Sequence, residues 1–489
     1  MGDVCMILEG TYPYVTGGVS AWVHDLITNL NDISFDIVTI VPSIHYAKEL
    51  KYKMPPNIVS LKCLPMNEFD EKNRPRLNIF TRKKFFKELF EAFEGFETED
   101  YSALGRVIAA FNKYSPAIGD ILNTHDGWRV FEFIYKKFGT GAPFIDFFWT
   151  LRFIIIPLFN LIKTKPPDSK CIHTISTGYA GLLAAIFKIQ LNRSMLLTEH
   201  GIYTNERLLE IIDARWIYDQ NSDAVEVLKE LPPLKKFWIN LFVAIGKLTY
   251  HYSEEIITLY RGNQLLQVKL GADPKRCKVI PSGIDTAKFN MRRESASGGP
   301  EYKVGFVGRV VPIKDVKTLL YAARFVVDKL PGAKFLIKGP YDEDLVYYEE
   351  CRTLTSILGL QENVFFLGPG TVHDFYKELD VVVLSSVSEA QPLAVLEGNV
   401  CCVPAVSTEV GCVVELLYGI DEEDVKLGPS GIVVPIKSPV ELGEAIIKIL
   451  SDRELNMKMG ETGLKRVMTY YKKDDLKTKY HDIYSNYIK

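Results

Sequence analysis

The chain has 489 residues, 47% of them hydrophobic and 24% charged, which is enough apolar material for more than one domain core. Its formal net charge of -3 excludes a general electrostatic affinity for nucleic acid and leaves room only for local pockets that hold anionic small molecules. The eight cysteines, Cys5, Cys63, Cys171, Cys277, Cys351, Cys401, Cys402 and Cys412, form no Cys-x-x-Cys pair and sit mostly in apolar runs. That pattern argues against a disulfide framework or a zinc site and points to reduced, buried thiols in a cytoplasmic protein.

Near the start, "VCMIL" predicts a buried strand, and acidic Asp3 stands where a secretion signal would carry basic residues. The following "EGTYPYVTGGVSAWVHDLI" reads as strand, glycine-bearing loop and helix, with Gly17 and Gly18 placed to let backbone N–H groups approach a phosphate. It is not a G-x-G-x-x-G fingerprint. "FDIVTIV" is a second strand, and the polar stretch from Pro65 to Glu99 carries no clear period. "FFWTLRFIIIPLFNLI", from Phe147 to Ile162, has the apolarity of a membrane segment. Arg152 and Pro157 interrupt it short of a full span, which predicts a helix buried or lying at an interface.

"CIHTIS", "SMLLTEH" and "EIITLY" continue the strand series, and His200 directly follows one of them with Glu199 and Glu206 beside it. The segment "VIPSGIDTAKFNMRRESASGGPEYKV" marks a domain boundary, between a first domain over 1–290 and a second over 300–469. In the second half, "KVGFVGR", "AKFLIKG", "NVFFLG", "DVVVLSS", "PAVST" and "GIVVP" are again short, continuous apolar runs separated by helix-length stretches. Such runs predict parallel sheets covered on both faces, hence an α/β protein of two doubly wound, Rossmann-like domains. The terminal "YYKKDDLKTKYHDIYSNYIK", with Tyr471, Tyr480, Tyr484 and Tyr487, is a helix that packs on its own domain or, over 470–489, crosses back to the first.

In open parallel sheets ligands sit at the carboxyl ends of strands. Arg309 ends one strand and Lys314 precedes the next helix, a planar fork and a flexible ammonium suited to the charge that builds on a departing diphosphate. "DVVVLSSVSEAQPLAVLEG" ends another strand, with Pro392 pre-setting a helical turn and the N–H groups of Ala390, Gln391 and Leu393 available to an anion. Glu397 then lies about 7 to 8 Å along the helix axis, so that it and Glu389 reach opposite ends of a phosphate-bridged ligand through its sugar hydroxyls. Asp342 and Asp344 of "YDEDL" form a D-x-D pattern, read here as solvated rather than metal-binding.

These stretches, with "VIPSGID" and "STEVGCVVELL", resemble the retaining glycosyltransferases of family 4, which have the GT-B fold, two Rossmann-like domains facing a central cleft. "MILEGTYPYVTGGVSAWVHDLI", "LLTEHGIYTNER" and "GPYDEDLVYYEEC" resemble more narrowly the PelF-like transferases of Pel exopolysaccharide synthesis. The resemblance implies a UDP-sugar donor, UDP-glucose in that subgroup, no metal, and a saccharide acceptor. Inner-membrane polysaccharide-synthesis proteins would be partners, which places the chain in the cytoplasm or at the inner face of that membrane. It implies that Arg309 and Lys314 bind the diphosphate, Glu397 the ribose and Glu389 the donor sugar, while Gly18 approaches phosphate and His200 contacts the sugar near the reacting carbon. Two other readings stay open: a catalytically idle nucleotide-sugar-binding scaffold of a membrane assembly, and another GT-B enzyme such as a sugar epimerase.

Overall fold

A computed structural model describes residues 2–69, 74–97, 99–139, 141–213, 231–289 and 301–489. The chain divides into two compact units. The first holds Met1–Thr258, Gln264–Lys278 and Tyr480–Lys489, and the second Leu259–Asn263 and Val279–Lys479. The sequence boundary was placed later, at 290–300, and those residues lie outside the described ones.

The first unit is built on seven strands, β1 (Val4–Glu9), β2 (Phe35–Val41), β3 (Ile58–Pro65), β4 (Cys171–Thr174), β5 (Ser194–Glu199), β6 (Glu255–Thr258) and β7 (Cys277–Val279). Their order across the sheet is β3-β2-β1-β4-β5-β6-β7. β1 pairs in parallel with β2 on one side and β4 on the other. Sequence order therefore reverses between β1 and β4, where the connections leave on opposite faces and open a crevice at the strands' carboxyl ends. β1, β2, β4 and β6 are almost wholly buried, as their continuous apolar runs require of strands covered on both faces.

Between β3 and β4 the described residues make five helices, the first, Ile79–Glu97, largely within the polar stretch that shows no period in sequence. The last, Phe144–Lys163, contains the membrane-like run, with Pro157 inside it. Among the described residues it is the one helix long and apolar enough to cross a membrane. One side, with Phe147, Leu151, Ile154 and Leu161, is buried in the core of this unit, while Ile145, Trp149 and Phe153, spaced at four residues, are exposed.

The second unit carries β8 (Tyr302–Val307), β9 (Ala333–Lys338), β10 (Val364–Gly368), β11 (Val381–Leu384), β12 (Ala405–Thr408) and β13 (Gly431–Val434). All pair in parallel in the order β10-β9-β8-β11-β12-β13, the doubly wound arrangement, with the reversal between β8 and β11. Its core gathers Val304, Phe306, Val381, Val383 and Val406 under the helix Val316–Lys329.

Candidate active site

The two strands at the reversal of the second sheet, β8 and β11, deliver eight of the sequence-predicted residues: Arg309 and Lys314 after β8, and Glu389, Ala390, Gln391, Pro392, Leu393 and Glu397 after β11. After β8 the chain passes Gly308, Arg309 and a short 3-10 turn, Pro312–Lys314. The neighbouring loop fits tightly here, because a Cβ on Gly339 would lie 2.0 Å from the Gly308 carbonyl oxygen at φ +149. After β11 comes the Ser385–Pro392 loop. The two loops are joined, since Val387 N–H donates to the Ile313 carbonyl (2.9 Å) and the Ser385 hydroxyl to the Lys314 carbonyl (2.9 Å).

Across this seam the Lys314 ammonium is hydrogen-bonded to Glu389 Oε1, and the Ser386 hydroxyl donates to the same oxygen at 2.9 Å. Both side chains of the pair are mostly buried, 17% and 16% exposed. Gly411, at φ +52, closes the loop from behind: its Cβ would meet the carbonyl oxygens of Glu389 and Ala390 at 2.3 Å each, and the N–H of Cys412 donates to Ala390. Only glycine fits a left-handed backbone pressed against two carbonyls.

Pro392 is the N-cap of helix Leu393–Val400, in extended conformation, and not a residue of its first turn. This corrects the sequence expectation: the helix begins one residue later, and Glu397 lies about 6 Å along it from Leu393. The Gln391 side chain does not face an open crevice, because its amide donates to the Ser282 carbonyl (3.0 Å) and accepts from Ser282 N–H (2.8 Å), tying down the "VIPSGID" turn. Glu397 accepts a 2.6 Å hydrogen bond from the Tyr376 hydroxyl. Burial pushes its carboxyl above the ordinary glutamate value, with the Tyr376 bond and nearby His373 opposing. Arg309 is half-exposed and paired with Glu343. Of the two aspartates flanking Glu343, Asp344 caps the helix Leu345–Ile357 through the Tyr347 N–H (2.9 Å), and Asp342 is exposed.

In the first unit, Gly17 and Gly18 open the helix Gly18–Asn29 at the carboxyl end of β1. Gly17 is extended at φ 166, and a Cβ on either glycine would meet nothing within 4 Å, so neither is required by the protein's own packing. His200 follows β5 and lies edge-on to the Trp22 ring at 4.6 Å. Burial draws its imidazole down to about 4, so it is neutral at neutral pH and offers one donor and one acceptor rather than a charge. Glu199, beside it, is consumed in the framework. Its two oxygens accept from Thr177 Oγ1 (3.0 Å), Tyr203 N–H (3.2 Å), Tyr250 OH (2.9 Å) and Gln267 Nε2 (3.0 Å). Burial raises Glu206 as well.

Sequence reasoning passed over Ser386, Tyr376, Glu343 and the structural demand on Gly411. Ser386 and Gly411 lie inside the motifs quoted for other residues. Tyr376 had no signal of its own, being brought to Glu397 by the turn before β11.

Ionic and hydroxyl groups thus gather at the reversal of the second parallel sheet, the position at which such sheets hold ligands. Residues 287–466 match the family model described as glycosyl transferases group 1, and residues 2–275 match one described as a domain of unknown function, DUF3492. The chain is similar to a D-inositol 3-phosphate glycosyltransferase of Geodermatophilus obscurus, 29% identical over 199 residues, 38% of this chain and 42% of that protein. The same enzyme of Rhodococcus erythropolis is 32% identical over 153 residues, 29% of this chain and 35% of the relative. The matched stretch thus spans less than half the length of these curated relatives. Among solved structures, a sucrose-phosphate synthase of Thermosynechococcus elongatus aligns over 99% of both chains with TM-score 0.60 and 16% identity. HepE of Anabaena, solved with UDP, aligns over 99% of this chain and 100% of its own with TM-score 0.60 and 13% identity. The chain belongs to the DUF3492 family, whose model spans residues 2–275; residues 287–466 match glycosyl transferases group 1, and the fold is GT-B, as in the solved neighbours.

Proposed function

We propose that this chain moves a hexose from a UDP-sugar, UDP-glucose by resemblance, to a growing exopolysaccharide with retention at the anomeric carbon. The observation that carries this reading is the partly buried Lys314–Glu389 pair, held with Ser386 where β8 and β11 part, in a region that matches glycosyl transferases group 1. Two structures of one neighbouring protein support the donor class, since HepE was solved with UDP and with UDP-glucose. In this reading Lys314 and Arg309 hold the diphosphate, the N–H groups of Ala390, Gln391 and Leu393 face its oxygens, Glu397 accepts from the ribose and Glu389 from the sugar hydroxyls. Gly17 and Gly18 leave space for a phosphate at a helix start, and neutral His200 hydrogen-bonds the sugar.

The bond between the anomeric carbon and the phosphate oxygen breaks with its electron pair going to UDP. The acceptor oxygen forms the new bond from the same face, and its proton passes to the departing phosphate oxygen. A carboxylate neutralised by Lys314 and Ser386 is a weak nucleophile, which favours this front-face course over a covalent intermediate on Glu389. No metal is needed, because two cations are available to the diphosphate. Inner-membrane polysaccharide-synthesis proteins would then be the partners of a cytoplasmic enzyme.

The test is calorimetric titration with UDP-glucose, other UDP-sugars and GDP-sugars, followed by NMR of the product. Binding of UDP-glucose and an axial anomeric linkage are expected. An inverted product overturns the mechanism. Donor binding without transfer to any saccharide acceptor favours the idle scaffold.

A further inference from the structure

Three aromatic rings of the first unit form a row that ends on His200. Tyr480, in the helix Lys473–Tyr487, lies edge-on to Trp22 at 5.4 Å and 73°, and Trp22 lies edge-on to His200 at 4.6 Å and 80°. Tyr480 is fully buried and is fixed at both ends. Its hydroxyl is 2.9 Å from Thr198 Oγ1, on the strand two residues before His200, and Thr198 is in turn 2.9 Å from His173 Nε2. His173 Nδ1 meets the hydroxyl of Tyr484 at 2.6 Å, one helical turn beyond Tyr480. The helix thus holds β4 and β5 through Tyr484 and Tyr480, and it holds Trp22 through the ring of Tyr480.

Trp22 stands four residues after Gly18, on the same side of the helix one turn in. Edge-to-face contact fixes direction as well as distance, because the positive rim of one ring seeks the negative face of the next. A side chain that merely filled space would leave the imidazole free to turn about its own bonds.

We infer that Trp22 and Tyr480 are positioning residues that fix the imidazole of His200, an inference that rests on the sugar-contacting role proposed for His200. The Tyr480 ring, and not its hydroxyl, touches Trp22, so the two parts of the side chain separate cleanly by substitution.

The experiment uses the full chain with isotope-labelled histidines, the His200 ring signals being assigned by their loss in His200→Asn, together with steady-state transfer from UDP-glucose. Tyr480→Leu is expected to shift and broaden the His200 signals and to lower kcat about tenfold with donor KM unchanged, as displacement of a contacting group does. Tyr480→Phe is expected to restore both. Should Tyr480→Leu fail to melt cooperatively, Trp22→Phe, which shortens the middle ring, is expected to give the same two changes. Unaltered His200 signals and kcat in either variant, or a Tyr480→Phe as impaired as Tyr480→Leu, overturns the inference. An unchanged kcat in His200→Asn, with the His200 signals still moving in Tyr480→Leu, overturns the catalytic reading of His200 and leaves the ring row in place.

Discussion

Replacing Lys314 by alanine separates its chemistry from its part in folding. In the native chain the ammonium and the Glu389 carboxylate are 17% and 16% exposed, between the solvent-screened and the fully desolvated limits. Removing one partner costs about 3–5 kcal/mol for a buried pair and about 0–1 kcal/mol for an exposed one, so Lys314→Ala is expected to cost about 1–3 kcal/mol. Most of that is the penalty of leaving Glu389 charged with only the Ser386 hydroxyl as a partner. Lys314→Ala combined with Glu389→Gln removes the stranded charge and should regain most of the stability. Catalysis should behave differently. If Lys314 acts on the diphosphate as proposed, loss of its pre-positioned charge should lower kcat by about 10²–10³, and neutralising Glu389 should not return it. Urea unfolding measures the first quantity, and single-turnover release of UDP measures the second. A Lys314→Ala enzyme that transfers within about threefold of the native rate, less than ~1 kcal/mol of barrier, refutes the reasoning.

Because burial raises the Glu397 carboxyl, it takes up a proton at a higher pH than an ordinary glutamate, and in the proposed role it then loses its charge for the ribose hydroxyls. Donor affinity measured by calorimetry should therefore weaken as pH falls, beginning above the usual glutamate range, and Glu397→Gln should bind weakly with no such dependence. Gly411→Ala places a methyl against two carbonyl oxygens in left-handed backbone, and a loss of about 1–3 kcal/mol in thermal unfolding is expected, with Glu389 displaced and transfer slowed. Arg466 is fully buried, its guanidinium bonded to Asp424, Leu417, Ser430 and Gly428, so Arg466→Met should destabilise the second unit by about 3–5 kcal/mol in urea unfolding. His173 is held down to about 3 by burial, below its unfolded value, so its contribution is present above about pH 6.5 and lost as pH falls toward 3. Acid unfolding of His173→Gln should show a correspondingly flatter slope.

Much of the architecture was legible in the chain because a strand covered on both faces has no polar side to show. β1 and β11 coincide with continuous apolar runs, and β2, β4, β6 and β12 with short, mostly buried runs that admit a few polar residues such as Asp36, His173 and Thr258. The ends of those strands then point to the loops where Arg309, Lys314, Glu389 and Glu397 sit, since parallel sheets turn their carboxyl ends toward ligands. The helices described between β3 and β4 were not legible as such: Ile79–Glu97 is polar on one side and aromatic on the other, and its aromatic side is covered by Val107, Phe111, Ile121 and Val130 of the helices that follow, which no single-segment period reveals. Pro392 misled by one position, because proline is equally at home as N-cap or first helical residue, and only the hydrogen bonds decide.

What the amino-acid sequence determined alone was periodicity and local chemistry: which stretches are strands, where glycines free the backbone, and which charged side chains follow a strand. Partnership was decided by the tertiary structure. Glu389 meets Lys314 across 75 residues, Tyr376 reaches Glu397 across the strand between them, and Tyr480 reaches Thr198 across 282 residues. Such contacts depend on strand order and loop closure. These are set by burial of the whole sheet, and no short window of sequence records them.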